Sequence, residues 1–108
     1  MPNIAIQTAE AEHLPEVHRM LIALAHHRGA EPTTTPAILA QIAFDDPRAR
    51  LLVARLTDSP ARHPVGYALI RQGQGGAVLE QIYVQPPFRG LGVGRALAAA
   101  VQPEPALQ

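Results

Sequence analysis

The chain has 108 residues, 47% of them hydrophobic and 17% charged, the composition of one globular domain rather than of a disordered segment. Nine basic and nine acidic residues cancel, so the sequence lacks the electrostatic footprint of a nucleic-acid or anionic-membrane binder. It has no cysteine, which excludes disulfides, thiolate zinc sites and cysteine nucleophiles.

Residues 3–7 alternate, with Ile4 and Ile6 on one face, and predict a short strand. Leu14, Val17, Leu21 and Leu24 then recur at helical spacing, with Met20 and Ala25 widening the apolar stripe. Pro15 is tolerated only in a first turn, which places the start of this helix near Glu12 or His13, and Gly29 stops it. Residues 30–35 read as a polar loop. Thr35 before Pro36 is an N-cap followed by a first helical residue, and Ile38, Leu39 and Ile42 give the short helix an apolar face until Asp45-Asp46-Pro47.

Residues 50–56 are apolar on both alternating faces apart from their arginines, as a central strand requires. Residues 57–64 form a loop broken by Pro60 and Pro64, and residues 65–71 a third strand. The sequence Gly73-Gln74-Gly75-Gly76 predicts a tight hairpin into a fourth strand, residues 77–84. Pro86-Pro87 stops that strand, a glycine-rich loop follows, and residues 95–101 are helical by propensity until Pro103 and Pro105 forbid continuation. The expected fold class is α/β (α+β): a mainly antiparallel sheet in the order β-α-α-β-β-β-α. No repeat or second domain is visible. Residues 1–7 lack a signal-peptide pattern and no apolar run approaches the ~20 residues of a membrane span, so a cytoplasmic protein is expected.

The segment most informative about chemistry is the strand, proline stop and loop leading to Phe88-Arg89-Gly90-Leu91-Gly92-Val93-Gly94-Arg95. Glycines at 90, 92 and 94 remove Cβ atoms where backbone must come close to something. The helix that follows aims unpaired N–H groups and the positive end of its dipole at the loop. Together these suit a phosphate or pyrophosphate. A Walker A loop would need Gly-Lys-Ser/Thr, and every basic residue here is arginine. A dinucleotide fingerprint would need Gly-x-Gly-x-x-Gly early in a βαβ unit, whereas the spacing here is Gly-x-Gly-x-Gly near the end of the chain.

With Arg89, Gly92 and Gly94 in the pattern Arg/Gln-x-x-Gly-x-Gly/Ala, after an apolar strand ending at Val84, the chain resembles the GNAT superfamily of acyl-CoA N-acyltransferases. The resemblance implies that acetyl-CoA is the acyl donor and that the backbone of Arg89, Gly90, Leu91, Gly92, Val93, Gly94 and Arg95 holds its pyrophosphate. It also implies that the strand Ile82-Tyr83-Val84 pairs with the pantetheine arm like an added strand. Leu79-Glu80-Gln81-Ile82-Tyr83-Val84 and the helix ending His26-His27-Arg28 are most similar to the diamine or polyamine-type acetyltransferases. There, the glutamate matching Glu80 is associated with deprotonating a primary amine. Such a carboxylate has work to do, because an alkylammonium is neutral only about once in 10³ at pH 7. The plain alternative for Glu80 is a solvated strand residue.

The five histidines, at 13, 18, 26, 27 and 63, include no i, i+4 pair, so no metal is expected and they read as solvated side chains. Tyr67 and Tyr83 read as packing residues, although either could border the acceptor pocket. The resemblance further implies a fifth strand, a fourth helix and often a tyrosine acid after the loop, none of which is found after Val101, so the domain is expected to be incomplete at its C-terminus. The expected activity is acetyl transfer to a small-molecule amine acceptor by a homo-oligomer, a dimer. The alternative is a catalytically silent acyl-CoA-binding or interaction module.

Overall fold

In the computed structural model, which describes residues 3–58 and 63–101, the strands β1 (Ile4–Thr8), β2 (Ala49–Leu56), β3 (Gly66–Gly73) and β4 (Gly76–Val84) form one sheet in that spatial order. Every neighbouring pair is antiparallel. Helices α1 (Leu14–His27) and α2 (Pro36–Ala40) cover one face and α3 (Val93–Val101) the other. The expected breakers Pro60, Pro103 and Pro105 lie outside the described residues.

β2 is the central strand its sequence implied. Leu51 and Val53 face α1 and α2 with Val17, Met20, Leu21, Leu24 and Leu39. Leu52 and Ala54 face α3 with Ala68, Ile70, Val93 and Leu97. Burying each leucine or valine removes enough apolar surface to contribute about 1.5–3 kcal/mol, so the two half-cores clamp the sheet from both sides.

α1 begins where Pro15 requires, after a 3-10 turn over Ala11–His13. The buried His13 is not solvated. Its Nδ1 accepts the Glu10 N–H at 2.9 Å, so the ring caps the helix start. Thr35 caps α2 as expected, its hydroxyl accepting from Ile38 N–H at 3.1 Å. The chain does not stop there but widens into a π turn over Gln41–Asp45.

The hairpin closes at Gly73 and Gly76. Further along, the β3–β4 register shifts: Leu69 faces Gln81 while Ile70 faces Leu79, so Glu80 is the extra residue of a β-bulge. α3 begins at Val93, two residues before the helix expected from Arg95, because the Gly92 carbonyl already accepts the Ala96 N–H at 3.0 Å.

Tyr67, fully buried on β3, donates its hydroxyl to Gln81 Oε1 at 2.8 Å. Burial pushes this hydroxyl well above the ordinary tyrosine range, with the Arg28 charge opposing the shift and Tyr83 adding to it. The linkage sign follows. Above about pH 10 the unfolded tyrosine sheds a proton that the folded one keeps, so stability is intact below that pH and falls as pH rises toward the folded value. With no lysine or cysteine in the chain, few other groups titrate in this window. Urea melts at pH 8 and pH 11 should therefore show an alkaline loss in the wild type that is clearly smaller in Tyr67→Phe. At pH 8 that variant should be less stable by about 1 kcal/mol, for the lost hydrogen bond. Equal alkaline losses in both proteins would contradict the assignment.

Candidate coenzyme groove and its neighbouring pocket

β4 lies at the sheet edge, with β3 as its strand neighbour among the described residues. Beside its last three residues the chain turns through a 3-10 turn, Pro86–Phe88, and returns over the strand as the glycine loop and α3. A groove of about 880 Å3 forms between this loop, β4 and the end of α1. Ile82, Tyr83, Val84, Arg89, Gly90, Gly92, Val93, Gly94 and Arg95 all line it. Of the expected loop residues, Leu91 is exposed and is not part of the lining.

The three glycines serve different needs. Gly90 and Gly92 have φ of +84° and +92°, and a Cβ on either would meet nothing within 4 Å, so conformation rather than crowding demands glycine there. Gly94 has no such φ, and a Cβ on it would stand 3.7 Å from Val84 Cγ2. Val93, Gly94 and Arg95 open α3, so their N–H groups lack intrahelical partners, and all three residues line the groove.

The charged lining is cationic, Arg89 and Arg95, and α1 adds the imidazole of His27. Among the described residues no Asp or Glu lines the groove. Arg89 folds back over β4, its Nε donating to the Val84 carbonyl at 2.8 Å and its guanidinium 5.2 Å from the Tyr83 ring centre. Leu24, His27 and Phe88 are lining residues that sequence reasoning missed. For His27 a signal existed: it follows Leu24 by three residues and so shares that side of α1.

The structure does not place Glu80 in this groove. Its Oε2 accepts from Arg71 Nε at 2.9 Å, and Arg71 Nη1 contacts Asp46 Oδ2 at 2.9 Å. The next residue, Gln81, lines a separate cavity of about 170 Å3 between α1, residues 30–34 and β4. Among the described residues no group of three or more His, Asp or Glu side chains is arranged to hold a metal, and no helix is long and apolar enough to cross a membrane.

The family model described as Acetyltransferase (GNAT) family matches residues 12–104. The chain belongs to this family. GNAT members use acetyl-CoA as acyl donor, and an N-acetyltransferase domain is what sheet, loop and helix resemble. Solved structures agree on the fold. An acetyltransferase from Trypanosoma brucei is 23% identical with a TM-score of 0.69, over 92% of this chain and 72% of that one. A ribosomal-protein-alanine N-acetyltransferase from Brucella melitensis biovar Abortus is 20% identical with a TM-score of 0.66, over 91% and 68%. An aminoglycoside acetyltransferase from an uncultured soil metagenomic sample is 15% identical with a TM-score of 0.64, over 90% and 66%. No curated protein matches the chain.

Proposed function

We propose that the protein binds acetyl-CoA in the groove and transfers the acetyl group to a primary amine of a small molecule. The observation that carries the reading is the convergence of one cationic groove, an open β4 edge and the unpaired N–H groups of α3 on the same nine residues. The N–H groups of Val93 to Arg95, with the Arg89 and Arg95 charges, would hold the pyrophosphate. The backbone of Ile82 to Val84 would pair with the pantetheine arm. When bound, acetyl-CoA supplies the acyl carbon that the amine nitrogen attacks as the thiolate leaves. Calorimetric titration with coenzyme A tests the binding half of the reading, and the absence of heat at millimolar ligand would reject it.

The acceptor must lose a proton before it attacks, a deficit of roughly 4–5 kcal/mol at pH 7 for an ordinary alkylammonium. Glu80 is our candidate base, because the bulge sets it beside Gln81, which lines the neighbouring cavity. If it acts so, Glu80→Gln should cut turnover of a high-pKa amine ten- to hundred-fold below pH 8 and less above it, with coenzyme A affinity preserved. A loss that is uniform across pH, or no loss, would leave Glu80 as the partner of Arg71.

That ion pair favours one alternative, a catalytically silent acyl-CoA-binding module in which Glu80 serves structure alone. Thioester consumption with an amine panel separates the two. Among the described residues nothing pairs with the outer edge of β4, and its stretch before Ile82 suits pairing with a second copy, so we include a homodimer in the proposal, to be read by light scattering. A cytoplasmic location and a polyamine-like acceptor remain parts of this proposal.

A further inference from the structure

The 170 Å3 cavity adjoins the groove, since Leu24 lines both. Its wall is built with some care. The Ala30 N–H bonds to the Ala25 carbonyl at 2.8 Å, and His18 donates its Nε2–H to the Thr34 carbonyl at 2.9 Å, which holds residues 30–34 against α1. From β4, Gln81 faces the same space. Gln81 Oε1 accepts from the buried Tyr67 hydroxyl, which fixes an amide whose nitrogen is a donor group beside the cavity. Arg28 and Glu31 line it with opposite charges, and no ion pair joins them.

A pocket with one cationic group, one carboxylate and a fixed amide donor is complementary to a molecule bearing both charges. We propose that this cavity selects an acceptor that carries a carboxylate near its amine, an amino-acid-like zwitterion. Arg28 and the Gln81 amide receive the carboxylate and Glu31 the neighbouring ammonium, which leaves the second amine of the molecule to lose its proton and attack the acyl carbon. A polyamine offers Glu31 a partner but offers Arg28 only a like charge. The volume suits a single amino acid rather than a peptide. Gln81 is thus a specificity residue and Tyr67 its positioning residue. The inference rests on the acyl-transfer reading above, and it sets an amino-acid-like acceptor against the polyamine-like one of that reading.

The test uses matched acceptors that differ only in the carboxylate: ornithine against putrescine, and lysine against cadaverine. With the 108-residue protein and acetyl-CoA, kcat/KM should be at least tenfold higher for each amino acid than for its diamine. Arg28→Gln should reduce that ratio at least tenfold, mainly through KM for the amino acid. Equal use of both members, or a ratio unchanged by Arg28→Gln, overturns the inference while leaving acetyl transfer standing. If neither acceptor turns over, ornithine is titrated calorimetrically into the protein: binding that Arg28→Gln weakens at least tenfold supports the inference, and no binding overturns it. Coenzyme A binding, measured separately, decides the acyl-transfer reading.

Discussion

Gly92→Val is expected to weaken coenzyme A binding by about two orders of magnitude, while Gly94→Ala weakens it less and makes the chain more stable. At Gly92 the backbone has φ +92°, a conformation in which a β-branched residue costs about 1–3 kcal/mol. Valine would push the loop into another shape, and the N–H groups of Val93, Gly94 and Arg95 would no longer aim together into the groove. Gly92 is itself part of the groove lining. Gly94 is different. It sits in the first turn of α3 with a helical neighbour on either side, and alanine there improves helix propensity by up to about 1 kcal/mol. Its new methyl group meets Val84 Cγ2 at 3.7 Å, an ordinary contact, but both residues line the groove. Affinity and melting temperature should therefore move in opposite directions in Gly94→Ala. Calorimetry and thermal melts on the two variants provide the check. Wild-type affinity in both would remove the loop from the coenzyme site.

The second large effect is on stability. Gly66 opens β3 where three elements meet. A Cβ on it would lie 2.9 Å from the Tyr83 carbonyl oxygen and 3.3 Å from both Leu97 Cδ1 and Val93 Cγ1. The first contact is with backbone of the neighbouring strand and cannot rotate away. Gly66→Val should therefore push β4 and α3 outward and cost about 3 kcal/mol, lowering the melting temperature by on the order of 10 °C in a domain of this size. Gly75→Ala, in the hairpin where a Cβ meets nothing within 4 Å, is the matched control and should shift stability by less than about 0.5 kcal/mol. Similar melting temperatures for the two variants would show that α3 does not rest on Gly66. Because α3 also carries the loop, Gly66→Val should lower coenzyme affinity as well.

These contacts mark where sequence reasoning ends. The strands were legible because alternation is local: β2 reads as two-faced in the residues Leu51 to Ala54 themselves, and the glycines at 73 and 76 announce their hairpin. The glycine loop was legible because its spacing is local too. The bulge was not, since Leu79-Glu80-Gln81-Ile82 carries no mark of the extra residue, and without it the side on which Glu80 stands is undefined. Nor was the start of α3, because a glycine whose carbonyl begins the helix looks like one more loop residue. The π turn at Gln41–Asp45 is similarly silent in composition. Arg28 and Glu31 acquire meaning only through tertiary placement, where α1 ends beside β4 and the next loop returns.

The arrangement of Arg89 over Tyr83 has an optical consequence. The chain has no tryptophan and two tyrosines, so its tyrosine emission comes from only those two rings. Tyr67 is sealed in the core, whereas Tyr83 lies beneath a guanidinium in the groove wall. A ligand that displaces Arg89 from the Val84 carbonyl changes the surroundings of one chromophore and leaves the other as an internal reference. Tyrosine emission, excited to the red of adenine absorption, thus becomes a label-free readout of what enters the groove, and Tyr83→Phe is its blank.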